Sequence, residues 1–125
     1  MQDELADSVR IEEVSDFLNG ELASRMRKAS GRGQLYREQP FIFSCNDMLI
    51  QGIIDAYFLE DDEIVIVDYK TDRVDDINEL TERYHVQLEY YGMALSAMLD
   101  KPVRDLIIYS TRFKNTVKVP CTVLN

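Results

Sequence analysis

Asp55, Asp68 and Lys70 each stand on an apolar stretch of strand length, and an acidic break, Glu60-Asp61-Asp62-Glu63, separates the two stretches. Residues 50–59 and 64–69 read as the arms of a β-hairpin around that break. A two-residue turn at Asp61-Asp62 pairs Glu60 with Glu63, and the same register puts Asp55 opposite Asp68. Their Cβ atoms then lie roughly 4.5–5.5 Å apart on one sheet face. Lys70, two residues past Asp68, projects from that face too, because side chains alternate along a strand. The other face would carry Ile54 against Tyr69, Ala56 against Val67 and Phe58 against Val65 as a core layer. A three-residue turn would shift the pairing by one and break the arrangement.

Two carboxylates held opposite each other repel. A divalent cation between them converts the repulsion into binding. Mg²⁺ commonly takes one or two carboxylates and keeps its remaining positions for water and phosphate oxygens. A neighbouring lysine can orient or deprotonate the attacking water, or neutralise developing charge. In outline this is metal-assisted phosphodiester hydrolysis. The bland reading stands beside it: Asp-x-Lys on a strand is common, and most such pairs are solvated edge charges.

The flanking elements must hold this hairpin in place. Residues 1–7 are polar and acidic and are expected to fray. Residues 8–18 carry Val9, Ile11, Val14, Phe17 and Leu18 at roughly helical spacing and predict a short helix ended by Asn19-Gly20. Residues 21–29 predict a second helix, with Leu22 and Met26 inward and Arg25, Arg27 and Lys28 outward. Residues 35–44 form a strand with Pro40 marking an edge position, Asn46-Asp47 turns the chain, and residues 48–60 form the long partner strand. Glu38, at the start of the first strand, is placed near the site or on the surface. Asn78 is the expected N-cap of a long helix to about Leu99, with Tyr84, Leu88, Tyr91, Leu95 and Met98 as its core stripe. Gln87 lies between Tyr84 and Tyr91 on the same side of that helix. A long amide on the inner side of an apolar stripe needs a partner, such as a phosphate oxygen or a carboxylate. Residues 103–113 and 116–123 supply the last strands. The order ααβββαβ(β) is an α+β, or mixed α/β, domain. The lone His85 follows Tyr84 and reads as a surface or packing residue.

The 125 residues suit one domain with a modest core, and 46% hydrophobic with 30% charged residues is ordinary for a soluble globular chain. No apolar run approaches the ~20 residues needed to span a bilayer, and no signal peptide is visible. Cys45 and Cys121 are isolated, so neither a disulfide framework nor a zinc site is indicated, and two scattered cysteines fit a reducing cytoplasm. The net charge of −9 opposes a polyanion. A nucleic-acid substrate would therefore need delivery by something else.

Gly52-x-x-Asp55, Asp68-Tyr69-Lys70-Thr71-Asp72 and Tyr84-x-x-Gln87-x-x-x-Tyr91 together resemble the RecB-like branch of the PD-(D/E)xK nucleases, whose fold is a restriction-endonuclease-like core with a central mixed sheet flanked by helices. With Arg37-Glu38-x-Pro40-Phe41 upstream, and Gln87-Leu88-Glu89-Tyr90-Tyr91-Gly92-Met93-Ala94-Leu95 downstream, the wording is closest to the C-terminal nuclease domains of AddA/RexA-type helicase–nucleases. The resemblance covers roughly residues 10–123. It implies that Asp55 and Asp68 ligate a catalytic Mg²⁺ (or Mn²⁺), with the Tyr69 carbonyl as a further ligand. It further implies that Lys70 positions or activates the water, and that Gln87 and Tyr91 support the phosphate and bases near the cut. The implied partners are single-stranded DNA fed by a helicase motor, the rest of that helicase chain and an AddB/RexB-type partner. The implied setting is double-strand-break repair in the bacterial cytoplasm. Family members usually carry a histidine upstream in a Gly-Thr-x-x-His helix, which this chain lacks, and that departure implies a segment of a longer polypeptide. Two other readings stay open: a nuclease-fold docking module without activity, and an acidic protein-interaction domain. Arg73 and Arg83 favour the nuclease over the last if they line the same groove as the aspartates.

Overall fold

The structure, a computed structural model, describes residues 20–45 and 47–120. Helix α1 (Glu21–Gly31) leads into strands β1 (Leu35–Cys45), β2 (Met48–Glu60) and β3 (Glu63–Lys70). Helix α2 (Asn78–Leu99) follows, and strands β4 (Val103–Ser110) and β5 (Asn115–Val119) close the chain. The helix expected over residues 8–18, the fraying expected of residues 1–7, and Cys121 fall outside the described residues. The five strands form one sheet in the order β1-β2-β3-β4-β5. β3 and β4 are parallel, with α2 as their crossover, and every other pair is antiparallel. This is the mixed α+β sheet that the sequence predicts, with Pro40 on an edge strand.

The two helices cover opposite faces of the sheet, and each buries its own apolar layer. α2 packs Leu80, Leu88 and Leu95 on Ile64, Ile66, Leu106 and Ile108. α1 packs Leu22, Met26 and Ala29 on Ala56, Phe58, Val65, Val67 and Ile107. Strand alternation explains β3: its even residues face α2 and its odd residues face α1. Helix α2 does not start on the expected Asn78 cap: Ile77 stands at the N-cap position and makes no side-chain capping bond. The Asn78 amide donates to Asp76 Oδ1 at 2.9 Å, and the Glu79 amide to the Asp76 carbonyl at 2.9 Å. Asp76, not Asn78, serves the first turn, because the Asx side chain reaches the amide two residues on.

Glu60 pairs with Glu63 and Ala56 with Val67, the register of a two-residue turn at Asp61 and Asp62. Both turn residues have positive φ, 52° and 66°, as a two-residue type I′ hairpin turn requires. The expected core layer departs from the sequence reading at one place. Phe58 and Ala56 face α1, but Ile54 lies in the α2 layer, away from Tyr69. The β1–β2 ladder passes from Arg37–Ala56 to Gln39–Ile54 without a Glu38–Asp55 pair, and Glu38 has φ 51°. The hairpin turns over at that point and the facing of β1 and β2 exchanges. Arg25 departs as well. It is half-buried, and its guanidinium bonds Glu60 Oε2 at 3.0 Å, Glu60 Oε1 at 2.7 Å and Asp105 Oδ2 at 2.9 Å, clamping α1 across the sheet end opposite the aspartates.

Leu88 is fully buried under the centre of the sheet. Leu88→Ala is expected to lower stability by about 2–5 kcal/mol in urea denaturation, the range for a buried leucine whose cavity cannot collapse. A loss below about 1 kcal/mol would mean that α2 is not seated as described.

Candidate active site

β2 and β3 part just where the charged residues begin. Their ladder ends at Ala56–Val67, and the Tyr69 amide donates to Asp55 Oδ2 at 3.0 Å. The Asp55 side chain thus takes an amide that a continuing ladder would have used, and its carboxylate is drawn across to β3. Asp68, on the α2 side of β3 with Ile64 and Ile66, is 4% exposed. Lys70 Nζ lies 2.9 Å from Asp68 Oδ2. Asp55, Asp68 and Lys70 therefore converge, but through the Tyr69 amide and the Lys70 ion pair; the expected Asp55–Asp68 ladder pair does not form.

The electrostatics follow from burial. Desolvation pushes the Asp68 carboxyl up to about 6, Lys70 works against the rise, and Asp55 adds to it by hydrogen bond and repulsion. Burial disfavours the Lys70 ammonium, but Asp68 outweighs it, with smaller help from Tyr84 and Tyr91, and the lysine pKa stands above its ordinary value. Lys70 is thus a cation that donates. Asp68 Oδ2 is buried and makes no well-directed hydrogen bond; its contact with Lys70 is an ion pair. A buried carboxylate oxygen with unused acceptor capacity, beside a second carboxylate, fits a hard cation. Among the described residues no group of three or more His, Cys, Asp or Glu stands at ligand spacing. The donor set suits an ion that keeps water and substrate oxygens in its shell, not one caged by protein.

Helix α2 supplies the opposite wall. Tyr91 is half-buried and meets Phe41 edge-on at 5.1 Å between centroids. Burial, then the Asp68 charge, raises its phenol pKa, which puts it within the electrostatic reach of the site. Gly52 makes that packing possible. A Cβ there would sit 3.3 Å from Phe41 Cε1 and 4.0 Å from the Tyr91 hydroxyl. Gln87 is not where the sequence reading put it. It is exposed at the margin of the stripe, because Leu88, one residue and about 100° further round the helix, takes the position against the sheet. It needs no internal partner there. Glu38 is exposed on β1, at the point where the β1–β2 ladder skips a Glu38–Asp55 pair.

Tyr84, which the sequence reading placed only in the core stripe, lies against Lys70, and Asp72, quoted without a role, holds that tyrosine. The Tyr84 ring centroid is 4.1 Å from Lys70 Nζ, and the Tyr84 hydroxyl donates to Asp72 Oδ2 at 2.7 Å. Arg83 Nη1 donates to the same oxygen at 3.1 Å, while Arg73 is exposed. The available signal was the aromatic at the start of the stripe and the carboxylate two residues past the lysine. His85 Nδ1 lies 3.0 Å from Oε2 of the buried Glu89, one turn further along α2.

The family model for the PD-(D/E)XK nuclease superfamily matches residues 2–120. The chain belongs to that superfamily. Among curated proteins it is similar to an ATP-dependent helicase/nuclease subunit of Lachnoclostridium phytofermentans, 36% identical over 166 aligned positions that cover 95% of this chain and 12% of the relative. The corresponding protein of Clostridium kluyveri is 38% identical over 83% of this chain and 10% of its own length. That of Clostridium botulinum is 34% identical over 85% and 9%. The chain thus spans about a tenth of the length of these relatives. PD-(D/E)XK nucleases generally use divalent metal ions.

Asp68 has a folded-state pKa above its unfolded one, so protonation favours the fold. Its contribution to stability is complete below about pH 3.8 and is lost as the pH rises through about 6. In metal-free protein the carboxyl ¹³C resonance of Asp68 should titrate with a midpoint near 6, and a midpoint near 4 would contradict the burial described here.

Proposed function

We propose that this domain is a Mg²⁺-dependent deoxyribonuclease module, with Mn²⁺ as an alternative ion. It hydrolyses single-stranded DNA within a helicase–nuclease of double-strand-break repair. The observation that carries the reading is the buried, under-bonded Asp68 carboxylate facing Asp55, with Lys70 at 2.9 Å. Asp55, Asp68 and the Tyr69 carbonyl would hold the ion, whose chemistry is Lewis-acid stabilisation of charge on the phosphate. Lys70, held as an ammonium, orients the attacking water and neutralises charge as it develops. Tyr91 closes the far wall of the site and limits water. Gln87, exposed beside Tyr84 and Tyr91, is available to phosphate and base edges.

The acidic surface bears on partners. A net charge of −9 weakens capture of DNA from solution, so the strand is delivered by a motor region such as the names of the relatives describe. The remaining partners in this reading are the rest of a helicase chain and an AddB/RexB-type protein. The cytoplasmic setting is part of the same proposal. No helix among the described residues is long and apolar enough to cross a membrane.

Mg²⁺ should raise the melting temperature, since it binds the folded form alone, by the equivalent of about 2.7 kcal/mol at a hundredfold excess over Kd. Asp68→Ala should abolish that response. Lys70→Ala should keep the response yet lose about 10²–10⁴-fold in cleavage of single-stranded DNA, the usual weight of a positioned proton-transfer or charge-stabilising group. Cleavage that survives in Lys70→Ala would mean that the chemistry lies with other residues.

A further inference from the structure

Among the described residues the Lys70 ammonium contacts the Asp68 carboxylate and the Tyr84 ring, and a bound cation competes only for the carboxylate. Nζ is 2.9 Å from Asp68 Oδ2 and 4.1 Å from the centroid of the Tyr84 ring. That ring is held in place. Its hydroxyl donates to Asp72 Oδ2 at 2.7 Å, and Arg83 Nη1 donates to the same oxygen at 3.1 Å. Asp72 stands two residues after Lys70 on the segment that leads into α2, and Tyr84 lies on the second turn of α2. Ammonium, aromatic face, phenol hydroxyl, carboxylate and guanidinium thus form one continuous chain of contacts from the site to the helix.

Like charges make the aromatic contact matter. A divalent cation on Asp68 takes away the lysine's ion-pair partner and repels its ammonium. A flexible four-carbon stem would then swing toward water, where the ammonium is strongly hydrated. An aromatic face attracts an ammonium through the ring quadrupole. It offers no oxygen for a hard, oxygen-seeking ion to claim. The hydrogen bond from Tyr84 to a carboxylate leaves the ring more electron-rich and strengthens that attraction.

We propose that Tyr84 is the positioning residue for Lys70: its ring face, fixed by Asp72, seats the ammonium beside the scissile phosphate while a divalent cation occupies Asp68. The proposal rests on the metal-dependent nuclease reading. It separates two jobs in the Tyr84 side chain. The ring seats the lysine, and the hydroxyl fixes the ring and adds modestly to its electron density.

Selective labelling of lysine side chains reads the seat directly, because Hε protons above an aromatic face resonate upfield of those in water. The wild type and Tyr84→Phe should both show one upfield lysine, assigned to Lys70 by its loss in Lys70→Arg. Tyr84→Leu should show none. In the wild type the upfield position should persist when Mg²⁺ saturates the protein. In cleavage of a single-stranded oligonucleotide, Tyr84→Phe should stay within about threefold of wild type. Tyr84→Leu should lose roughly tenfold or more in kcat at unchanged KM, the scale of a partly desolvated cation–π contact expressed as a rate. A melting temperature that responds to Mg²⁺ in Tyr84→Leu as in wild type would show that the metal site is intact and the loss is one of positioning. Movement of the wild-type lysine to the free position on adding Mg²⁺ overturns the seat, as does a Tyr84→Leu protein that cuts like wild type. A wild type that shows the upfield lysine but neither responds to Mg²⁺ nor cuts overturns the nuclease reading, and the seat's purpose with it.

Discussion

The repulsion between the carboxylates of Asp55 and Asp68 is the constraint to which the surrounding structure answers. An antiparallel ladder would hold them opposite each other at a cost, and burial of Asp68 raises that cost. The chain meets it with local means. The ladder stops one pair early, the Tyr69 amide binds Asp55, and Lys70 stands in as a single positive charge against Asp68. None of these fully satisfies Asp68 Oδ2.

The rest of the fold keeps that pair in position. Two apolar layers on opposite sheet faces fix β3 from both sides, so the end of β3 cannot drift. The clamp of Arg25 on Glu60 and Asp105 ties α1 to the sheet at the opposite end from the chemistry. Tyr84 and Tyr91 connect α2 to the site by contact with Lys70 and with Phe41. Polar groups at the site are thereby held by rigid elements, the condition for electrostatic preorganisation.

The hairpin register was legible in the sequence because a two-residue acidic turn leaves one pairing that buries Val65, Val67 and Phe58. The span of α2 was legible from its apolar stripe and the Asp100-Lys101-Pro102 stop. The exchange of faces at Glu38 and Asp55 was not, since it depends on a positive φ at a glutamate, which residue type does not announce. Gln87 was misplaced because a stripe read at steps of three and four fixes which residues are near one face, not which of two neighbours lies deepest. Asp76 and Asn78 are both capping types, and only the geometry of the turn chooses between them. The contact of Tyr84 with Lys70 joins a strand end to a helix across a loop, and no local spacing encodes it. The wider family was legible from motif wording alone, and the match over residues 2–120 agrees with it.

The central claim is that Asp55 and Asp68 together bind one divalent ion. Anomalous diffraction from crystals of this chain soaked in Mn²⁺ tests it most directly. One peak is expected, in contact with a carboxylate oxygen of each aspartate at roughly 2.0–2.3 Å, with Lys70 moved off Asp68 Oδ2. No peak there, or one only at the acidic turn of Asp61 and Asp62, would contradict it.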